Sequence, residues 1–254
     1  MRNIDAAVKA MARRIAEILE PCSPSVYLYG SLALADFRPG WSDIDILVLT
    51  GESISEVQAK RLVELRREMT EEEPDNSCYR LFEGGMLTLD SLITGAPDRV
   101  VYWGTSGERI TDRYLFDAFC RCELLDCGIL LCGRDVREHI ERPGFDELRE
   151  NVRRHYETIR KYARTTGRSL YSFGWLLDIS RCIYTLRTGK IIAKTAAGEW
   201  ALREGLCPCA DSLTKAVEVR KSPETLSSRL LDYAGTLGGD IQRYADLLEL
   251  ELSR

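Results

Sequence analysis

Two aspartates with one residue between them, Asp43 and Asp45, stand eleven residues after a Gly30-Ser31 pair. Residues two apart on a strand point to the same face, so the two carboxylates would lie side by side. On a buried strand that arrangement is unfavourable, because each charge loses water and repels the other. A divalent cation removes the difficulty. Hard carboxylate oxygens on one edge, with room for water and phosphate oxygens, describe a Mg²⁺ site. Gly30 would let the backbone come close to a phosphate, and Ser31 adds a hydroxyl and an N–H.

These residues need two strands to hold them. Val26-Tyr27-Leu28-Tyr29 is an apolar run that stops at Gly30-Ser31, which reads as a strand ending in a tight turn. Asp43-Ile44-Asp45-Ile46-Leu47-Val48-Leu49 reads as a second strand, buried on both faces. The bland alternative is a surface hairpin carrying two solvated aspartates. It leaves Ile44, Ile46, Leu47, Val48 and Leu49 in water, against their usual burial.

The chain has 254 residues, enough for one large domain or two ordinary ones. Its 44% hydrophobic and 30% charged content is that of a soluble globular protein. Lys and Arg number 35 against 40 Asp and Glu, a net charge of −5, which argues against a nucleic-acid partner and its need for a basic surface. No run reaches the roughly 18 apolar residues of a membrane span. Ile4, Val8, Met11, Ile15, Ile18 and Leu19 follow helical spacing among basic residues, unlike an export signal. The expectation is a cytoplasmic monomer with reduced thiols at its nine cysteines. Neither Cys120, Cys122, Cys127 and Cys132 nor Cys207-Pro208-Cys209 has the pairing of a zinc ribbon.

Helical spacing predicts a first helix from about residue 3 to Glu20 and another over Ser53–Thr70, then a charged loop at Glu71–Asp75. Tyr79–Glu83, Met86–Ile93 and Arg99–Trp103 read as extended, Tyr114–Cys127 as helix, and the chain from about Phe145 as helical with breaks near Gly167, Gly189, Pro208, Pro223 and Gly238-Gly239. The fold class is therefore α+β: a mixed sheet with flanking helices over residues 1–140, then an all-helical part over 141–254.

Gly-Ser, a short segment and Asp-x-Asp on a strand resemble the signature of nucleotidyltransferases of the DNA polymerase β type. Arg80–Leu87, Leu124–Gly133 and above all Asp178–Ala201, with Ser180-Arg181, Thr188-Gly189-Lys190, Lys194 and Ala197–Ala201, are similar to the streptomycin- and spectinomycin-resistance adenylyltransferases. The resemblance implies Mg²⁺-dependent transfer of AMP from ATP to a hydroxyl of an aminoglycoside or similar small acceptor. It implies Asp43 and Asp45 as cation ligands, Gly30 and Ser31 at the terminal phosphates, and a third carboxylate as ligand and base. Glu83 matches the family's catalytic glutamate, and Asp90 competes for that role. Arg181 and Lys194 match positions that contact the nucleotide phosphates, and a cleft between two domains would let them do so. Arg153, Arg154, Arg160, Lys161, Arg164 and Arg168 read as a solvated helix face. With His139 and His155 alone present, a histidine-dependent mechanism has little material.

The pattern departs from the family around the acceptor. Tyr171-Ser172-Phe173-Gly174-Trp175 stands where relatives carry acidic and histidine side chains, and Ser106 where a streptomycin-binding tryptophan is expected, with Trp103 ahead of Gly104. Asp178 and Glu199 remain as acids for a cationic acceptor. The competing readings are a nucleotidyltransferase acting on a protein or another metabolite, and a non-catalytic ATP-binding regulator.

Overall fold

The structure is a computed structural model describing residues 2–105 and 107–254. Ser106, and with it the expectation placed there, lies outside the described residues. In chain order the elements are α1 (Arg2–Leu19), β1 (Ser25–Tyr29), α2 (Gly30–Ala33), β2 (Ile44–Thr50), α3 (Glu56–Glu72), β3 (Phe82–Thr88), α4 (Leu89–Thr94), β4 (Val100–Gly104), β5 (Gly107–Thr111), α5 (Ala118–Cys127) and β6 (Ile129–Cys132). The helices α6 (Phe145–Tyr162), α7 (Leu170–Thr188), α8 (Lys194–Arg203), α9 (Ala210–Lys221), α10 (Ser228–Ala234) and α11 (Gly238–Leu252) complete the chain. No described helix is long and apolar enough to cross a membrane.

The chain forms two compact units. One takes the residues up to Ala33 together with Asp43–Arg142; the other takes Leu34–Ser42 together with Pro143–Arg254. The first unit is the expected mixed sheet, with strand order β5-β4-β3-β2-β1-β6. Only β2 and β3 run parallel; every other pair is antiparallel. The central strands β1 and β2 are almost wholly apolar, as strands covered on both faces must be. One face carries Tyr27, Tyr29, Leu47, Leu49 and Leu87, packed with Phe116 and with Leu124 of α5. On the other face Trp103, fully buried, donates its indole N–H to the Leu62 carbonyl of α3 at 3.0 Å.

α3 starts at a capping box. Ser55 accepts from the Gln58 N–H, and the Gln58 side chain returns a bond to the Ser55 backbone. The helix runs on through Glu72, so the expected charged loop begins only at Glu73, which caps it. The extended reading of Met86–Ile93 also needs correction: β3 stops at Thr88, whose hydroxyl caps α4 by accepting from Ser91 N–H. Tyr79 lies in a 3₁₀ turn, not a strand, and β5, half-buried to exposed along its length, went unread in the sequence.

In the second unit α7 is the central helix, packed against α6, α8, α9 and α11. Phe173, Leu176, Leu177, Ile179 and Ile183 are fully buried along it. Ser180, equally buried, satisfies its hydroxyl on the Leu176 carbonyl and the Tyr244 hydroxyl. Arg153, Arg160 and Arg168 are held by Glu150, by Asp246 and Glu249, and by Asp232, all acids of the same unit.

Candidate functional site

β1 ends where Gly30 turns the chain with φ +66°, a left-handed conformation that suits glycine. The space a side chain would need is taken: a Cβ on Gly30 would lie 2.0 Å from Oδ2 of Asp45. The room at Gly30 therefore serves the Asp45 carboxylate. The Ser31 N–H, at the start of α2, donates to that carboxylate, and the Ser31 hydroxyl donates to the Asp43 carbonyl at 3.4 Å. The Gly-Ser turn and the Asp-x-Asp strand are thus bonded to each other.

Asp45 sits on β2 with Tyr29 as its register partner on β1 and Glu83 as its partner on the parallel strand β3. Register partners on neighbouring strands project to one face, so Asp45 and Glu83 are neighbours there. Asp43, read from the sequence as part of the strand, lies just ahead of β2, which begins at Ile44, and its charge still acts on both Asp45 and Glu83. Gly84 makes room for the next pair. It has φ +149°, and a Cβ there would lie 1.8 Å from the Ile46 carbonyl oxygen. A fourth acid joins from α5: Glu123, only 6% exposed. Its sequence signal is a single acid between Cys122 and Leu124 in an apolar segment, and the sequence reading passed over it.

The electrostatics follow from this crowding. Burial pushes the Asp45 carboxyl up to about 8, and the nearby charges of Glu123, Asp43 and Glu83 push the same way against the Ser31 N–H. Glu83 is raised as well, first by burial and then by Asp43, with the Thr105 backbone and Arg66 opposing. Arg66 also fixes the strand beside it. It donates to the Phe82 carbonyl at 2.8 Å and pairs with Glu108. Asp90 belongs elsewhere. It is exposed in the first turn of α4, beyond Thr88, which pairs with Thr50 at the far end of β2. Five strand residues, roughly 17 Å, separate Thr88 from Glu83.

Among the described residues no group of three or more His, Cys, Asp or Glu is gathered in the geometry of a metal cage. Mg²⁺ rarely asks for one. It retains waters and takes one or two carboxylates together with substrate phosphates. An oxygen-only donor set in which burial, and then the charges of neighbouring acids, raise the affinity of Asp45 for a proton has the chemistry of such a site.

Arg181 and Lys194 come together in the helical unit around Asp178. Lys194 Nζ lies 2.8 Å from Asp178 Oδ1, and Arg181 Nη2 lies 3.9 Å from the same oxygen. Burial would raise the Asp178 carboxyl, but the charges of Lys194 and Arg181, the Lys194 hydrogen bond and His155 outweigh it and hold it low. Glu199, the other acid expected to meet a cationic acceptor, pairs with Lys221. Trp103 is enclosed in the sheet unit. Of the stretch facing the expected acceptor position, Ser172 and Phe173 are buried, Trp175 is half-buried and Tyr171 is exposed.

Residues 9–83 match the family model described as a nucleotidyltransferase domain, and residues 145–228 match that described as the C-terminal domain of aminoglycoside adenylyltransferase. Comparison with curated proteins gives no match. Among solved structures, the chain is similar in fold to a spectinomycin adenyltransferase from Enterococcus faecialis, solved with ATP and spectinomycin. The TM-score is 0.67 at 15% identity, over 94% of this chain and 97% of that one.

Proposed function

We propose, since this chain belongs to the nucleotidyltransferases of the aminoglycoside adenylyltransferase family, that it moves AMP from ATP to a hydroxyl of an aminoglycoside- or aminocyclitol-like small molecule with the help of Mg²⁺. The observation that carries this reading is the pairing of Asp45 with Glu83 on one sheet face, with Asp43 near enough for its charge to act on both and the Gly30-Ser31 turn bonded to Asp43 and Asp45.

Asp43 and Asp45 would hold the cation, with Glu83 completing the set. A Mg²⁺ ion held there would supply positive charge to offset that of the phosphates and of the departing pyrophosphate. Adenylyl transfer is an in-line displacement: the acceptor oxygen forms a bond to the α-phosphorus as the bond to pyrophosphate breaks. Glu83 takes the acceptor proton. Burial, and then Asp43, raise its affinity for protons against the Thr105 backbone and Arg66, the direction that makes a carboxylate a better base. For the terminal phosphates the Ser31 hydroxyl would have to leave its long bond to the Asp43 carbonyl, its N–H being given to Asp45. Arg181 and Lys194, which the resemblance gives to the nucleotide phosphates, would supply positive charge, and Asp178 holds both side chains meanwhile.

The test is pyrophosphate release from ATP and Mg²⁺ across a panel of aminoglycosides including streptomycin and spectinomycin, with mass detection of the product. An acceptor heavier by one adenylyl group supports the reading and names the acceptor. Adenylylation of proteins alone, with every small acceptor unchanged, overturns the acceptor class.

A further inference from the structure

The segment between the two halves of the signature, Leu34–Ser42, is held by a buried ion pair that the sequence reading did not find. Asp36 and Arg220 are 4% and 3% exposed. Arg220 donates to the Asp36 carboxylate from Nε at 3.3 Å and Nη2 at 3.2 Å, and Nη2 also reaches the Asp36 carbonyl at 3.2 Å. Thr195 adds its hydroxyl at 2.6 Å and its N–H at 3.2 Å. Arg38 lies 3.4 Å from the same carboxylate. The Arg220 guanidinium rests over the Trp41 ring, 5.1 Å from its centroid. The chain makes a left-handed turn at Ala35, φ 55°, a conformation that a non-glycine residue rarely adopts. The segment closes with Trp41 and Ser42 N–H groups both on the Arg38 carbonyl.

Stability alone does not explain this cluster. A buried ion pair loses so much solvation that apolar residues of similar size often stabilise as well or better; what such a pair adds is a defined geometry. The geometry here has two ends of interest. The anchored segment runs directly into Asp43, and Thr195, the residue that grips Asp36, is the neighbour of Lys194 at the start of α8.

We propose that Asp36 and Arg220 are positioning residues for adenylyl transfer: they fix the segment that delivers Asp43 and the helix start that presents Lys194. This rests on the function proposed above. Neither residue is assigned a contact with ATP or acceptor.

Three variants test it: Asp36→Asn, Arg220→Lys, and the apolar pair Asp36→Leu/Arg220→Met. The measurements are thermal unfolding, steady-state kinetics in ATP, and amide hydrogen exchange over residues 34–45. The double variant should unfold at or near the wild-type temperature, exchange faster over 34–45 with the strands β3 and β4 unchanged, and lose on the order of ten- to a hundredfold in kcat, as expected of a sub-ångström to ångström misplacement. Arg220→Lys should recover part of kcat. A double variant with wild-type exchange over 34–45, or with altered exchange and wild-type kcat and KM, overturns the proposal. If the wild-type protein adenylylates no acceptor while the double variant still loosens 34–45, the functional reading fails and the anchoring role of the pair stands apart from it.

Discussion

Asp45 and Glu83 are register partners on β2 and β3, the one parallel pair in the sheet. Strands far apart in sequence thereby place two carboxylates on adjacent positions of one face. The proposed division of labour follows from their surroundings: Asp45 is packed against Gly30 and bonded by Ser31, whereas Glu83 lies at the start of its strand, steadied by Arg66 through Phe82.

Replacing Glu83 by Gln removes the proposed base and keeps the shape. The expected result is retained ATP and Mg²⁺ binding with turnover lowered roughly 10²- to 10⁴-fold, the usual contribution of general base catalysis. Binding by calorimetry and rate by pyrophosphate release check it. Asp90→Asn, at the far end of the strand, should behave as wild type; a dead Asp90→Asn beside an active Glu83→Gln would reverse the assignment.

Gly30→Ala should be more damaging than its size suggests. The new methyl meets Oδ2 of Asp45 at 2.0 Å, and the left-handed backbone adds about 1–2 kcal/mol of strain. Both a lowered unfolding temperature and a loss of Mg²⁺-dependent activity are expected. Loss of activity at unchanged Mg²⁺ dependence would show that Asp45 does not need this space.

The raised Asp45 carboxyl has a pH signature with a definite sign. The folded protein retains a proton that the unfolded chain releases near its ordinary carboxyl value of 3.8. Between there and about pH 8 the folded state binds more protons, so this group makes the metal-free protein less stable as pH rises through that window. Thermal unfolding in chelator from pH 5 to 8.5 should show the decline, and Asp45→Asn should flatten it. Added Mg²⁺ should stabilise the wild type most at the alkaline end. A wild-type profile matching that of Asp45→Asn would exclude this linkage.

Lys194→Met and Arg181→Met should each remove the charge-assisted phosphate contact proposed for that side chain, worth about 1.5–3 kcal/mol. The KM for ATP should rise roughly ten- to a hundredfold, with the acceptor KM little changed. Lys194→Met also leaves the Asp178 carboxylate without its 2.8 Å partner and should lower the unfolding temperature. An effect confined to the acceptor KM would move both residues to the other substrate.

The legible part of this site is the part written in consecutive residues. Gly30-Ser31 and Asp43-Ile44-Asp45 declare themselves because an apolar run, a turn pair and two closely spaced acids are all local signals, although β2 begins only at Ile44 and leaves Asp43 ahead of it. Glu83 needed the resemblance, since nothing in Phe82-Glu83-Gly84 reveals which strand lies beside it. Glu123 was illegible because a helix acid between apolar neighbours ordinarily faces water, and only the packing of α5 on the Tyr29 and Asp45 face buries it. Thr88 was read as mid-strand because a capping threonine and a strand threonine look alike before Ser91 is in place. Asp36 and Arg220, 184 positions apart, carry no local pattern at all.

Residues 34–42 are surrounded in sequence by the sheet unit and belong by contact to the helical one. At the roughly 5–20 residues per second of synthesis, Asp36 leaves the ribosome about ten to forty seconds before Arg220 exists to meet it. A nascent chain can therefore align β1, β2 and β3 while the approach to Asp43 still lacks its anchor, and the sheet becomes a finished catalyst only when α9 is made. Cutting the chain after Arg142 would not yield two whole halves: the front piece would carry a segment without its partners, and the back piece the partners without their segment.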